Sequence, residues 1–207
     1  MNSANATGPA YRIRTPRLVL RCWNAEDAPL LMTAITASLD HLRAWMPWAH
    51  HEPESIEAKT QRLRDFHADF EQGRDFIYGI FSPDESQVLG GTGLHPRLGE
   101  GAREIGYWIH ADHAGQGYAT EAAAALIKVA FEVENLRRVE IHCDPNNSRS
   151  AAVPRRLGFT HEATLQQSVD GTPRDVMIWR LLRENYDRTP AIAIEIEAFD
   201  ALGQRLL

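Results

Sequence analysis

Lysine is almost missing from this chain of 207 residues: of 22 basic side chains only Lys59 and Lys128 are Lys, and the rest are Arg. That bias favours fixed, forked charge contacts, although coding bias accounts for it equally well. Positive charge as a whole is in deficit, 22 Lys and Arg against 28 Asp and Glu, for a net of −6. Without a global positive field nothing holds a phosphate backbone, so nucleic acid is not expected as a partner. Cysteine is scarce too: Cys22 and Cys143 have no CxxC spacing and are too few for a disulfide framework, which fits buried thiols in a reducing compartment. No apolar run nears the roughly 20 residues that cross a bilayer; the longest, Ala122 to Ile127, stops at Lys128. The first ten residues hold no basic segment followed by an apolar one, so no secretory signal or lipid anchor is read there. The expected setting is cytoplasmic, with no membrane partner.

What is present is ordinary globular material, 43% hydrophobic and 24% charged, enough for one well-filled core with a short extension. Residues 1–10 are read as a disordered or extended N-terminus, 11–186 as one domain and 187–207 as an extension of undetermined structure. Arg12 to Cys22 reads as a strand, and Leu30, Leu31, Ile35, Leu39 and Leu42 as a helix ended by Pro47. Trp45 and Trp48 beside that Pro are a pocket wall or a cap on the core. A second helix is read from Ser55 to Gln72, then a β-hairpin from Asp75 to His95 and a strand from Arg103 to Ile109. Ala119, Ala122, Ala123, Leu126, Ala130 and Val133 mark one face of a long helix. A strand at Val139 to Cys143, a short helix capped by Asn147, and two strands joined at Asp170-Gly171 complete a mixed α/β order. Ile192, Ile194 and Ile196 fit a strand while Ile192, Ile196 and Phe199 fit a helix; as a strand, this tail is able to pair with a second copy and make a homodimer.

The informative stretch is Tyr107-Trp108-Ile109-His110 followed by Ala114-Gly115-Gln116-Gly117-Tyr118-Ala119-Thr120-Glu121 and the long helix. A strand feeding a Gly-rich turn that opens a helix exposes backbone N–H groups at the positive end of the helix dipole, which suits a diphosphate. A P-loop would need Gly-Lys-Ser/Thr, and no Lys lies here; a dinucleotide fingerprint would need a third Gly where Thr120 stands. A plain structural loop is the remaining alternative. His50, His51 and Glu52 are adjacent but point in different directions and lack a third ligand at i+4, so no metal site is expected.

Over Arg12 to Leu182 the chain resembles the GNAT acyltransferase superfamily, in its branch of ribosomal-protein N-terminal acetyltransferases. The family's cofactor signature, Gln/Arg-x-x-Gly-x-Gly/Ala, falls on Ala114 to Ala119; Gly117 and Ala119 match and Ala114 departs. Glu104-Ile105-Gly106-Tyr107-Trp108, and Asn147-x-x-Ser150 with Leu157-Gly158-Phe159, resemble the same branch. The resemblance implies an α/β fold with a mixed, mostly antiparallel central sheet flanked by helices. It also implies a V-shaped gap between the central strands at Glu104 to Ile109 and Val139 to Cys143. Acetyl-CoA would lie in that gap as co-substrate, its pyrophosphate on the amides of Gly115, Gln116, Gly117, Tyr118 and Ala119 with the Thr120 hydroxyl nearby. Asn147 would hold the pantetheine arm and Ser150 would sit near the sulfur.

The implied reaction moves an acetyl group to a primary amine, most simply a protein N-terminal α-amine, by direct attack through a tetrahedral intermediate. A backbone N–H around Trp108 or Ile109 supplies an oxyanion donor, and Ser150 or Tyr118 a proton for the leaving thiolate. At pH 7 an α-amine of pKa ~7.8 is roughly 15% neutral and a Lys amine below ~0.1%, penalties of about 1 and nearly 5 kcal/mol. A strong base is therefore dispensable for N-termini and needed for Lys or polyamines. Glu104 and His142 are the candidate bases, with an Arg ion pair and a satisfied sheet His as their competing roles. His113, Arg149, Arg155 and Arg156 are the candidate cations for the cofactor. Pro154, inside the helix after Asn147, is expected to kink it or free the carbonyl of Ser150. A small-molecule amine as acceptor, and a non-catalytic acyl-CoA-binding module, are the alternatives.

Overall fold

The computed structural model describes residues 9–169 and 171–207, with Val169 as backbone only. The readings of residues 1–8 and of Asp170 lie outside them. The first expected strand is in fact two, β1 (Arg12–Arg14) and β2 (Val19–Cys22), paired antiparallel. Pro16 cannot donate to a ladder, and the Thr15 hydroxyl accepts the Leu18 amide at 3.0 Å, so the chain reverses there. Helix α1 (Ala28–Arg43) follows a short 3-10 turn, and α2 (Ile56–Glu71) begins at Ser55, whose hydroxyl accepts the Ala58 amide at 3.2 Å. The hairpin β3 (Ile77–Phe81) and β4 (Val88–His95) leads to β5 (Ala102–Ile109), α3 (Tyr118–Lys128) with a π turn at Val129–Val133, and β6 (Arg138–Cys143). Then come α4 (Ser148–Arg156), β7 (Thr160–Val169), β8 (Thr172–Leu182), a single turn α5 (Arg183–Tyr186) and β9 (Glu197–Phe199).

All nine strands join one sheet in the order β7-β8-β6-β5-β4-β3-β2-β1-β9. Among the described residues only β5 and β6 run parallel. Period-two alternation divides the apolar side chains between two faces. Val19, Phe81 and Val88 pack with Leu31, Ile35 and Leu63 of α1 and α2, while Leu20, Ile80, Leu94, Ile105 and Ile141 pack with the alanine-rich face of α3 and with α4. The tail resolves its double periodicity as neither a helix nor a long strand. It makes a 3-10 turn at Pro190–Ala193 where a strand or helix is read over Ile192 to Ile196, and a short strand, β9, follows it and pairs with β1. Lys128 Nζ donates to the Ile192 and Ile194 carbonyls and ties this segment to α3. No helix among the described residues is long and apolar enough to cross a membrane.

Candidate active site

The parallel pair is short. β5 and β6 are in register only from Ala102↔Arg138 to Glu104↔Glu140; beyond that β5 continues with β4 as far as Ile109, and β6 continues with β8 as far as Cys143. The two strands therefore part, and the expected gap lies between them. The His110 amide donates to the Leu89 carbonyl at 2.9 Å, so by antiparallel alternation the Trp108 amide also turns toward β4 while those of Tyr107 and Ile109 face the gap. Of the two proposed oxyanion donors, only the Ile109 N–H is in position. The Trp108 ring instead lies over Gly91, where a Cβ would come within 2.5 Å of its indole nitrogen, and meets Trp48 edge-on at 6.1 Å.

On the α3 side of the sheet, Gly115 and Gly117 take positive φ values of 82° and 85°, a conformation that favours glycine. A Cβ on Gly115 would meet nothing within 4 Å. The first intrahelical bond of α3 runs from the Glu121 amide to the Gly117 carbonyl at 3.0 Å, which leaves the amides of Tyr118, Ala119 and Thr120 without helical partners. An open glycine turn over free amides fits a diphosphate, and this fit does not depend on the side chain missing at Ala114. Arg17, which sequence reasoning overlooked, holds the turn: Nε donates to Glu121 at 2.6 Å, Nη1 to the Gln116 carbonyl at 3.0 Å, and the guanidinium lies 4.7 Å over the Tyr118 ring. Tyr118 is thus held between Arg17 and His113 and does not line the cleft. Among the candidate cations, His113 borders this turn, while Arg155 lies over the Trp179 ring.

The tyrosine at Ser150 is Tyr107, whose hydroxyl is 3.1 Å from the Ser150 carbonyl and 3.3 Å from its Oγ. Burial pushes the Tyr107 phenol up, so it stays a proton donor at neutral pH. Asn147 Oδ1 accepts the Ser150 amide at 3.0 Å and caps α4, as expected. Burial also raises the Cys143 thiol, so it is a poor nucleophile.

Glu104, His142 and Glu140 lie on the opposite face, at the fork. Arg97 clasps Glu104 with both Nε, at 2.7 Å, and Nη2. His142 bridges two carboxylates, with Nδ1 3.4 Å from Glu104 and Nε2 2.9 Å from Glu140. Burial would raise the Glu140 carboxyl, but hydrogen bonds from His142 and Arg180 outweigh it and hold the group low. Glu104 is therefore in the ion pair expected as its competing role, and it also lines the cleft. The cleft, about 1010 Å³, runs from Ser150 and Asn147 past Glu104 to Trp48 and the α2 side chains.

A family model described as an acetyltransferase (GNAT) domain matches residues 17–160. The [ribosomal protein uS5]-alanine N-acetyltransferase of Escherichia coli is 29% identical over 180 residues, 84% of this chain and 91% of that one. The Escherichia coli ribosomal-protein-serine acetyltransferase is 29% identical over 130 residues, 61% of this chain and 72% of the other. In fold, the chain is similar to Mycobacterium smegmatis RimJ in complex with CoA-disulfide, with a TM-score of 0.74 at 24% identity over 90% of this chain and 92% of that one. With its splayed parallel pair and glycine turn, the chain belongs to the GNAT acetyltransferase family and is an acetyl-CoA-dependent N-acetyltransferase of that type.

Proposed function

We propose that the protein acetylates the α-amine of a protein N-terminus in the cytoplasm, by direct attack of that amine on acetyl-CoA. The observation that carries the reading is the fork itself, where the opening between β5 and β6 is lined by Ser150 and Asn147 from one face and by Glu104 from the other. The amides of Gly115, Gln116, Gly117, Tyr118 and Ala119 and the Thr120 hydroxyl would bind the diphosphate, and Asn147 the pantetheine arm. The Ile109 N–H would meet the developing oxyanion, and Ser150, backed by Tyr107, would hand a proton to the leaving thiolate. Glu104 attracts the incoming ammonium and offsets the positive charge that grows on the attacking nitrogen. An α-amine suits this site because about 1 kcal/mol makes it neutral at pH 7, against nearly 5 for a Lys amine. The relatives' names, ribosomal-protein acetyltransferases, favour the same acceptor class.

A calorimetric titration with acetyl-CoA, with ATP and NAD as controls, followed by thiol release against peptides and small amines, tests this reading. Saturable binding of acetyl-CoA alone and faster release with free N-termini than with N-blocked Lys peptides or spermidine are expected. Preference for Lys or spermidine would replace the acceptor by a small or side-chain amine. No binding would leave an interaction module.

A further inference from the structure

We propose that His95, oriented by Asp75, is the base that takes the proton from the acceptor ammonium. The proposal rests on the acetyl-transfer reading above and adds a residue that no motif in the chain marks. His95 ends β4 in register with Glu104 of β5, on the amine-facing side of the sheet. Its Nδ1 donates to Asp75 Oδ1 at 2.7 Å, which leaves Nε2 as the nitrogen with the lone pair. Two glycines make room for the ring: a Cβ on Gly93 would lie 2.4 Å from Nε2, and one on Gly106 3.3 Å from it. Both glycines line the cleft, as does His95.

Nε2 makes no hydrogen bond among the described residues, which sets His95 apart from the two bases read from the sequence. His142 has a carboxylate at each nitrogen, and Glu104 has both oxygens on Arg97. The charged groups around the ring are Asp75 behind it, Arg97 from the turn after β4, Glu104 from β5 with His142 beyond, and, across the cleft, Arg62 of α2 with Glu54 from the segment before that helix. Burial would raise the Asp75 carboxyl, but the bond to His95 and the charge of Arg97 outweigh it, so Asp75 is a carboxylate at neutral pH, ready to face an imidazolium.

One ammonium proton passes to Nε2, and the freed nitrogen pair forms the N–C bond while the carbonyl π pair moves to oxygen. Collapse of the tetrahedral centre breaks the C–S bond. The thiolate receives the second nitrogen proton by way of Ser150, and the proton on His95 returns to water. The balance is one amide, one thiol and one released proton.

The test is thiol release from acetyl-CoA with an Ala-terminated, Lys-free peptide, for wild type, His95→Gln and Asp75→Asn, as a function of pH. His95→Gln is expected to lower kcat/KM about sevenfold at pH 7, where roughly 15% of the peptide α-amine is already neutral without a base. The deficit should shrink above the pKa of the peptide amine, where the acceptor arrives already neutral. A residue that merely supports the fold would lose the same factor at every pH, and that result, or no loss, overturns the proposal. Nitrogen-15 spectra of the imidazoles give a second readout: wild type should carry its proton on Nδ1 of His95, and Asp75→Asn should weaken that preference. A proton on Nε2 in wild type also overturns the proposal. A wild type that releases no thiol with any amine would instead strike down the acetyl-transfer reading beneath it.

Discussion

Ser150 has a backbone carbonyl that its own helix cannot bond, and the Tyr107 hydroxyl takes it at 3.1 Å. The residue four positions on is Pro154, inside α4 and without an N–H. The helix runs through it from Ser148 to Arg156, and the freed carbonyl expected for this proline is found. That carbonyl holds Tyr107 across the gap, beside the Ser150 hydroxyl. Pro154→Ala restores an N–H that competes for the carbonyl and releases the phenol. Thermal stability should hold or rise while turnover falls several-fold, as checked by a melt and by thiol release on the same sample; unchanged turnover would mean that the phenol's position does not matter.

Glu104→Gln removes the carboxylate facing the amine and leaves the Arg97 guanidinium without its partner at the cleft. Thiol release with an Ala-terminated peptide should therefore fall by at least tenfold at neutral pH, with the affinity for acetyl-CoA unchanged. A variant that kept its rate across the pH range would remove Glu104 from the reaction.

Arg17 and Glu121 are far apart in the chain but joined at the glycine turn, with a second bond from the Thr15 hydroxyl to Glu121 at 2.6 Å. Arg17→Ala would leave a bare carboxylate in the first turn of α3, close to where a diphosphate is expected. Acetyl-CoA should bind about tenfold more weakly, a loss of about 1.4 kcal/mol, and the double variant with Glu121→Gln should recover part of it. Calorimetry at low and high salt checks this; an Arg17→Ala affinity equal to wild type would confine Arg17 to folding.

The elements legible in the sequence were those with strong local signals. The hairpin from Asp75 to His95, the helix after Ser55, the Asn147 cap and the glycine turn all stand where alternation, capping and glycine put them. The break at Pro16 was hidden because four residues of turn between two short strands read as one apolar run. Arg17 with Glu121, and Asp75 with His95, were not legible because they are 104 and 20 residues apart and meet only through strand pairing. The contact of Tyr107 with Ser150 was not legible because the direction of a side chain on β5 depends on which face the gap opens, and one residue of register decides that. The tail had two periodicities and follows neither, because Lys128 holds its carbonyls and β9 pairs with β1.

The α2 side of the cleft is held by a buried ion cluster, and this makes stability sensitive to acid. Lys59 is 1% exposed and contacts Glu52 and, at 2.8 Å, Glu54, which also takes Arg62. Hydrogen bonding to Arg62 is the main influence on the Glu54 carboxyl; burial opposes it, Lys59 adds to it, and the result is a value lowered from the usual 4.5 to about 2. A carboxyl depressed on folding contributes its stability above the unfolded value and loses it as pH falls through the folded one. Wild type should thus lose this contribution between about pH 5 and pH 2. Glu54→Gln should be less stable than wild type at neutral pH, with the difference closing over that window, as followed by urea unfolding at stepped pH. Parallel curves for the two proteins would show that Glu54 is not coupled to folding, and the wall that carries Trp48 would then have to be held by Lys59 and Glu52 alone.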